Sequence, residues 1–185
     1  MMFFDLNGRP YRRTIVFDVE TTGLSPEAGD RVIEIGAVAL EGGKIADEFH
    51  SLIDTDRAID PAAQRVHGIT RGMLAGQPKP KKVMPKFRAF IEDSIMVAHY
   101  ADFDLSMVGK EFRRLKIEFR QPYFCTLSLA RKLFPELERH DLGSIYRHLF
   151  KTEPVVMHRA LEDAKSTAEI WILINRIMSD GRNMR

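Results

Sequence analysis

The sequence predicts an α/β fold built on a mixed β-sheet. Three observations indicate this class. Three strand-like segments come first and are separated by short turns, a compact apolar run follows the first helical segment, and helical periodicity dominates the second half of the chain. At 185 residues, the chain suits a single domain with a substantial core, because chains of this size bury roughly 70% of their unfolded surface. We expect one domain over residues 1–185, with its core at about 14–178 and short extensions at both ends.

The first half of the chain contains the predicted meander. The segments TIVFDVE (14–20), RVIEIGAVAL (31–40) and KIADEFHSLI (44–53) have the composition of strands. GLSPEAGD and EGG separate them and have turn composition, so we expect neighbouring strands to run antiparallel. A short helix is predicted at ITRGMLAG (69–76), and KVMPKFRAFIED (82–93) has apolar residues at helical spacing.

The second half alternates strand and helix. SIMVAHY (94–100) is an apolar run typical of a buried strand. Helical patterns follow at about residues 104–115, 126–134, 141–149 and 160–178. Alternation of this kind, placed after a meander, predicts parallel strands added to an antiparallel sheet.

Composition excludes some classes of protein. The single cysteine, Cys125, rules out an internal disulfide and a cysteine zinc cluster. A net charge of +2 argues neither for nor against nucleic acid as a partner. No stretch approaches the ~20 apolar residues of a membrane span. The opening MMFF is also too short for the core of a signal peptide, so we expect a cytoplasmic protein.

Two carboxylates interrupt the first predicted strand. Successive side chains on a strand point to opposite faces, so Asp18 and Glu20 share one face while Phe17 and Val19 share the other. Two like charges held beside a core are costly unless something compensates them. Exposure at a sheet edge would do so, and so would a bound divalent cation. The strand alone leaves both explanations open, with the exposed edge favoured.

Two later segments bring further candidate groups. VAHYADFD leads from the predicted strand into a helix, and ligand-binding groups collect at the carboxyl ends of such strands, so Asp104 is well placed. Aspartate at a helix start is also a common N-cap. In HRALEDA, His158 and Asp163 would lie about 140° apart on a regular helix, but they converge if His158 precedes the helix. Ala160 and Ala164 are small enough to let that helix approach the sheet and bring Asp163 towards the first strand.

In this order, DVETTG, HYADFD and HRALEDA resemble the motifs of the DEDD exonuclease superfamily. The histidine of the last motif is similar to that of the DEDDh subclass, the DnaQ-like, proofreading-subunit-like 3′–5′ exonucleases. The resemblance covers about residues 14–177 and includes VHGIT (66–70) and CTLSLARKLFP (125–135). It implies a ribonuclease-H-like fold with a mixed five-stranded sheet flanked by helices.

The resemblance also implies residue roles. Four carboxylates would hold two Mg²⁺ or Mn²⁺ ions: Asp18, Glu20, Asp104 and Asp163. His158 would act as the general base. Five residues match positions that hold the terminal nucleotide: Thr21, Thr22, Leu24, His67 and Phe103. The family usually has Asn where this chain has Tyr100, which is larger and adds a ring. This difference concerns the hydrogen bonds near Asp104 and the substrate preference, and it leaves the four acids intact.

The implied reaction is hydrolysis of nucleic acid from the 3′ end to nucleoside 5′-monophosphates. DNA is the favoured substrate, at a single-stranded or frayed 3′ end, with a DNA polymerase subunit as a candidate partner. Trimming of RNA 3′ ends is the alternative, and contacts to the 2′-hydroxyl would separate the two. Two basic stretches, QPKPKKVMPK and RRLK, either contact the phosphate backbone or face solvent.

Two other classes fit less well. FDVETTG superficially resembles the Asp-x-Asp-x-Thr loop of haloacid-dehalogenase-type phosphatases, but their chemistry needs a second acidic motif late in the chain. The nearest such segment, GDRVIE, begins at Gly29. A non-catalytic nucleic-acid-binding module would be expected to have lost an acid or the histidine, and all are present.

Overall fold

The computed structural model describes residues 13–92, 94–154 and 157–180. The ends included in the expected domain, residues 1–12 and 181–185, lie outside this description. The strands are β1 Thr14–Thr21, β2 Val32–Glu41, β3 Lys44–Leu52, β4 Ile95–Ala98 and β5 Tyr123–Cys125. The helices are α1 Pro61–His67, α2 Arg71–Leu74, α3 Pro80–Ile91, α4 Ala101–Arg114, α5 Thr126–Leu133, α6 Leu142–Phe150 and α7 Ala160–Asp180. None of the helices in the described part is long and apolar enough to cross a membrane.

The sheet has the strand order β3-β2-β1-β4-β5. β2 is antiparallel to both β1 and β3, whereas β4 is parallel to both β1 and β5. The predicted meander, the mixed sheet and the five strands are confirmed. β5 is absent from the strands that we inferred from local patterns, because three residues are too few to show a period.

The two faces of β1 pack against different helices. Ile15, Phe17 and Val19 belong to the apolar cluster that includes residues of α3 and α4. Val16 belongs to the cluster that contains Ala168 and Trp171 of α7. Because side chains alternate along a strand, the carboxylates at positions 18 and 20 share the α7 face.

Helix α4 begins earlier than the sequence pattern indicated. It starts at Ala101 with Tyr100 as its N-cap residue, so Asp102 and Asp104 both lie in its first turn. The alternative interpretation of Asp104 as an N-cap is therefore wrong. Asp141, which we expected as the first residue of α6, is instead its N-cap, and its side chain accepts the N–H of Ser144.

Helix α7 lies directly on the sheet at Gly36. A Cβ atom on Gly36 would lie 2.1 Å from the backbone nitrogen of Leu161 and 2.3 Å from the carbonyl carbon of Ala160. Gly36 pairs with Asp18 in the β1–β2 ladder. The small residues predicted on the helix are fully buried here, as expected, and the glycine on the sheet side completes the close approach.

Candidate active site

The free end of β1 carries the first two carboxylates. β4 pairs only with the first three residues of β1, whereas Asp18 and Glu20 pair with β2. The β1–β2 register shifts between Glu20 and Thr21, and such a bulge re-aims the side chains that follow. The second half of β1 therefore has an edge that β4 does not cover.

Asp104 reaches this uncovered edge from α4. Its Oδ1 accepts the backbone N–H of Val19 at 3.3 Å, a donor that a longer β4 would have paired. The Asp104 side chain is buried. Asp102, two residues earlier, is exposed and accepts the hydroxyl of Tyr123 at 2.9 Å. Only the second of the two aspartates in this turn faces the carboxylates of β1.

His158 and Asp163 are joined through the backbone. His158 lies two residues before α7, as predicted, and its backbone N–H donates to Asp163 Oδ2 at 2.9 Å. Its φ of +60° is in the left-handed region, which non-glycine residues seldom adopt. The side chain of His158 is exposed. The left-handed turn therefore brings the N–H to the carboxylate and leaves the imidazole open to solvent.

Three of the four predicted metal ligands form one compact group. Carboxylate oxygens of Asp18, Glu20 and Asp163 lie within 4.8 Å of one another. Asp104 is outside that group but adjoins it, because after burial its charge is the largest cause of the raised pKa of Asp18. Within the described chain, the four acids predicted from the sequence therefore converge at one end of β1.

The surroundings of this cluster oppose its negative charge. Burial first, and then the charges of Asp104 and Glu20, raise the pKa of Asp18 well above its usual range. Burial and the charge of Asp163 raise the pKa of Glu20 to about 8. Burial also raises the pKa of Asp104 to about 7 and that of Asp163 to about 6. Near neutral pH, such a cluster is stable only when it is partly protonated or when a cation compensates it.

The donor set fits a divalent cation. Asp163 Oδ1 is buried and has no hydrogen-bond partner in the described part of the chain. Buried carboxylate oxygens normally have a partner, so this atom is suited to coordinate an ion. Hard carboxylate oxygens are the ligands that Mg²⁺ and Mn²⁺ prefer.

A buried carboxylate that we did not predict, Glu34, ties the segment before α7 to β2. It is 0% exposed and accepts Arg159 Nη2 at 2.8 Å, the N–H of Ala160 at 3.2 Å and His50 Nε2 at 2.7 Å. Burial alone would raise its pKa, but these hydrogen bonds lower the pKa of Glu34 to about 2. Its acidic side chain inside the apolar run RVIEIGAVAL was a signal of the same kind as Asp18. The pair with Arg159 holds the backbone between His158 and α7.

The residues predicted to hold a terminal nucleotide come from three parts of the chain. They are Thr21 at the end of β1, Thr22 and Leu24 in the loop after it, His67 at the end of α1, and Phe103 in α4. The backbone carbonyl of Thr21 accepts from His67 Nε2 at 3.2 Å, so this buried histidine secures the bulge. Thr22 is fully buried and its hydroxyl donates to Asp30 Oδ1 at 3.1 Å, which turns its side chain into the loop. Leu24 is 82% exposed in the loop after β1. The remaining residue of this set, Phe103, is half-buried in the first turn of α4.

Comparison with known proteins places this geometry in a family. Residues 15–171 match the family model described as Exonuclease (RNase T). The DNA polymerase III subunit epsilon of Aquifex aeolicus is 40% identical over 162 residues, which cover 86% of this chain and 79% of that protein. The PolC-type DNA polymerase III of Thermotoga maritima is 39% identical over 165 residues. That match covers 89% of this chain, which spans 12% of the polymerase.

Solved structures share the fold. Exonuclease X, determined in complex with 5′-overhanging duplex DNA, is 31% identical, with a TM-score of 0.70 over 89% of this chain and 91% of that one. The nuclease domain of 3′hExo, a DEDDh family member bound to rAMP, is 16% identical with a TM-score of 0.75 over 92% and 94% of the two chains. At 16% identity, the similarity to the 3′hExo domain shows a shared fold and nothing more. From the family match and the relatives together, this chain belongs to the exonuclease family, as a DnaQ-like 3′–5′ exonuclease.

Proposed function

We propose that this chain removes nucleotides from the 3′ end of DNA as nucleoside 5′-monophosphates, with two Mg²⁺ or Mn²⁺ ions and His158 as the general base. The observation that carries the proposal is the cluster of three carboxylates within 4.8 Å, beside a histidine whose ring is open to solvent. We also propose that residues 1–185 form a single exonuclease domain.

The four acids are the proposed metal ligands: Asp18, Glu20, Asp104 and Asp163. Asp18 is the best placed to contact both ions, because the charges of the other three all act on it. When bound, divalent cations neutralise the phosphate, acidify a water molecule and stabilise the leaving oxygen. The protein's own part is to hold the four carboxylates together at the end of β1.

His158 is the proposed acceptor of the water proton. Its ring nitrogens have no hydrogen-bond partner among the described residues, so one of them is available to a water molecule. The backbone N–H of His158 donates to the Asp163 carboxylate, and this hydrogen bond fixes the position of the proposed base relative to a proposed metal ligand. Attack by the water on the side opposite the 3′ oxygen then releases the terminal nucleotide.

DNA is the proposed substrate because two relatives that share 40% and 31% identity with this chain are named for a DNA polymerase or were determined with DNA. The epsilon subunit belongs by name to a DNA polymerase, and exonuclease X was determined with duplex DNA. The PolC and epsilon relatives also support association with a DNA polymerase as the proposed partner. A single-stranded or frayed end is the form of DNA that an end-binding site of this kind would accept.

The test is digestion of three 3′-labelled substrates side by side: single-stranded DNA, duplex DNA with a mismatched 3′ end, and RNA of the same sequence. We expect both DNA substrates to yield mononucleotides with Mg²⁺ or Mn²⁺ and to stay intact in chelator. A 3′-phosphate and a circular single strand should resist. The Asp18→Asn variant, purified in parallel, controls for a contaminating nuclease.

Three results would contradict the proposal. Activity that persists in chelator would remove the metal centre from the mechanism. Efficient cutting of circular DNA would show an endonuclease. Rapid digestion of RNA with DNA left intact would make the chain an RNA-trimming enzyme.

A further inference from the structure

Exposed Tyr100 and half-buried Phe103 form an aromatic pair at the start of α4. Their ring centroids are 6.2 Å apart and their planes differ by 10°, an offset, nearly parallel arrangement. Tyr100 is 58% exposed. It is the N-cap residue of α4, the helix whose first turn carries Asp104. The aromatic pair therefore lies at the same end of α4 as Asp104, which adjoins the carboxylate cluster.

Tyr100 also lines a cleft to which Phe103 does not contribute. The cleft has a volume of about 420 Å³ and lies between the start of α4, helix α5 and the segment before α6. One wall is fixed by His99, whose Nε2 donates to the carbonyl of His140 at 2.9 Å and whose Nδ1 bonds the hydroxyl of Thr126 at 3.0 Å. Its volume lies within the about 300–1,000 Å³ of small-ligand sites. Tyr100 thus belongs both to the aromatic pair and to the lining of this cleft.

The charges of the cleft favour a base over a phosphate at this position. Arg131 is its cationic lining residue, and Glu138 and Asp141 are acidic. Asp141 is already paired with Arg139 at 2.9 Å. Because its lining has both positive and negative side chains, the cleft lacks the excess of positive charge that binds a phosphate backbone. An exposed aromatic face, by contrast, stacks on any nucleobase.

We infer that Tyr100 stacks on the nucleobase next to the terminal nucleotide, so that the site grips two successive nucleotides of a single strand. This inference rests on the proposed function and extends it. The terminal nucleotide would lie at Phe103 and Leu24, and the next base would leave the cluster over Tyr100 towards the cleft. This is the position where the chain departs from the usual Asn of the family. The hydroxyl of Tyr100 has no hydrogen-bond partner among the described residues, so substitution there breaks no hydrogen bond of this side chain within the described structure.

The experiment compares substrates with and without a second base. The p-nitrophenyl ester of thymidine 5′-monophosphate has one nucleoside only. Two single-stranded DNA oligonucleotides carry either an ordinary or an abasic residue next to the 3′ end. We expect Tyr100→Ala to raise KM for the ordinary oligonucleotide by about 5- to 150-fold, the usual effect of losing one base–aromatic stack. KM for the ester should not change.

Two further variants make the comparison specific. Tyr100→Phe keeps the ring and should retain the wild-type KM for the ordinary oligonucleotide. Tyr123→Ala removes a comparably exposed tyrosine, 47% accessible, which does not line the cleft. It should leave both KM values unchanged. The wild-type enzyme should bind the abasic oligonucleotide as weakly as Tyr100→Ala binds the ordinary one.

The stacking proposal is overturned if the wild-type enzyme has the same KM for abasic and ordinary oligonucleotides, or if Tyr100→Ala affects the ester and the oligonucleotide equally. A wild-type protein that hydrolyses neither substrate overturns the exonuclease proposal instead. In that case, fluorescence anisotropy of the labelled oligonucleotides decides the question of stacking. Equal affinities of wild type and Tyr100→Ala for the ordinary oligonucleotide would overturn it, and a loss confined to that oligonucleotide would support it.

Discussion

His158 acts in this site through two different groups. Its backbone N–H holds Asp163, and its exposed ring is the proposed base. The left-handed backbone conformation costs most residues about 1–2 kcal/mol, whereas Asn and Gly adopt it readily. The usual exchange to Ala would therefore change both the ring and the backbone energy at once. Asn separates them.

We expect His158→Asn to lower turnover by roughly 10²–10⁴-fold, the usual contribution of a positioned acid–base group. The N–H to Asp163 is kept, so Mn²⁺ affinity and melting temperature should stay close to those of the wild type. Calorimetric titration with Mn²⁺, thermal melting and kcat on the same preparation test this. A parallel loss of metal affinity and turnover would mean that His158 positions Asp163 and that the base lies elsewhere.

Asp102 and Asp104 offer a matched pair in one helical turn. Asp104→Asn keeps the oxygen that accepts from Val19 but removes a charge from the crowded cluster. We expect it to abolish hydrolysis and to raise the melting temperature of the protein in chelator. Asp102→Asn changes an exposed residue whose partner is Tyr123, so activity and melting temperature should stay within error. Equal effects of the two substitutions would show that Asp104 has no special role.

At the scale of elements, the site depends on how closely α7 approaches β2. The contact at Gly36 leaves no room for a side chain, and the contacting atoms are backbone atoms that cannot rotate away. Just along β2, Glu34 fixes Arg159 and Ala160 at the start of the same helix. The spacing between Asp18 and Asp163 is therefore determined by two residues of β2 that bear no catalytic group.

Gly36→Ala should push α7 away from the sheet and widen the cluster. We expect a loss of about 1–3 kcal/mol in the free energy of unfolding, as is usual for overpacking, together with weaker Mn²⁺ binding and lower kcat. Urea denaturation and metal titration measure these changes. The control is Gly72→Ala in α2, where the nearest atom to the new methyl is Thr70 Oγ1 at 3.7 Å. Unchanged metal affinity in Gly36→Ala would contradict the role of this contact.

Local patterns predicted much of the fold and the acids of the site, for a physical reason. The alternation along β1 and the position of His158 before α7 follow from the geometry of a strand and a helix, which neighbouring residues determine. Gly36 became important only through its contact with α7, distant in sequence, and no local period marks such a contact. Glu34 stood out as an acid inside an apolar run, but that run did not show its partners Arg159 and Ala160. Helix α1 was missed although Asp60 and Pro61 are typical of a helix start.

For the whole molecule, the cluster makes stability depend on pH and metal. A carboxyl group with a raised pKa keeps a proton in the folded state that it has lost in the unfolded state. The folded state then binds more protons, so stability falls as pH rises towards the raised value. For Glu20 this window extends from about 4.5 to about 8. Burial lowers the pKa values of His67 and His99 below 6.5. Their titration makes stability rise with pH, but only below pH 6.5.

The melting temperature in chelator should therefore fall between about pH 6.5 and 8, where Glu20 approaches its raised pKa and loses its proton. The raised pKa of Asp18 acts in the same direction. Added Mg²⁺ or Mn²⁺ should raise it, and most strongly at pH 8, because a ligand that binds only the folded state stabilises it. Differential scanning fluorimetry across this range measures both effects. The Glu20→Gln variant should show a smaller fall. A melting temperature that rises over this pH interval in chelator, or that does not change when metal is added, would contradict the proposed metal-binding cluster.

The packing of α7 on β1 and β2 has a consequence for the newly synthesised chain. The carboxylates of β1 emerge from the ribosome early, but Asp163 and His158 follow only after six helices have been translated. A growing chain can pair β1 with β2 and β3 and still lack Asp104, His158 and Asp163, three of the five proposed catalytic residues. In the proposed mechanism, hydrolysis begins only after α7 has docked, so an unfinished chain would not attack nucleic acid near the site of its synthesis. Nuclease activity is thus a stricter report of completed folding than secondary structure content.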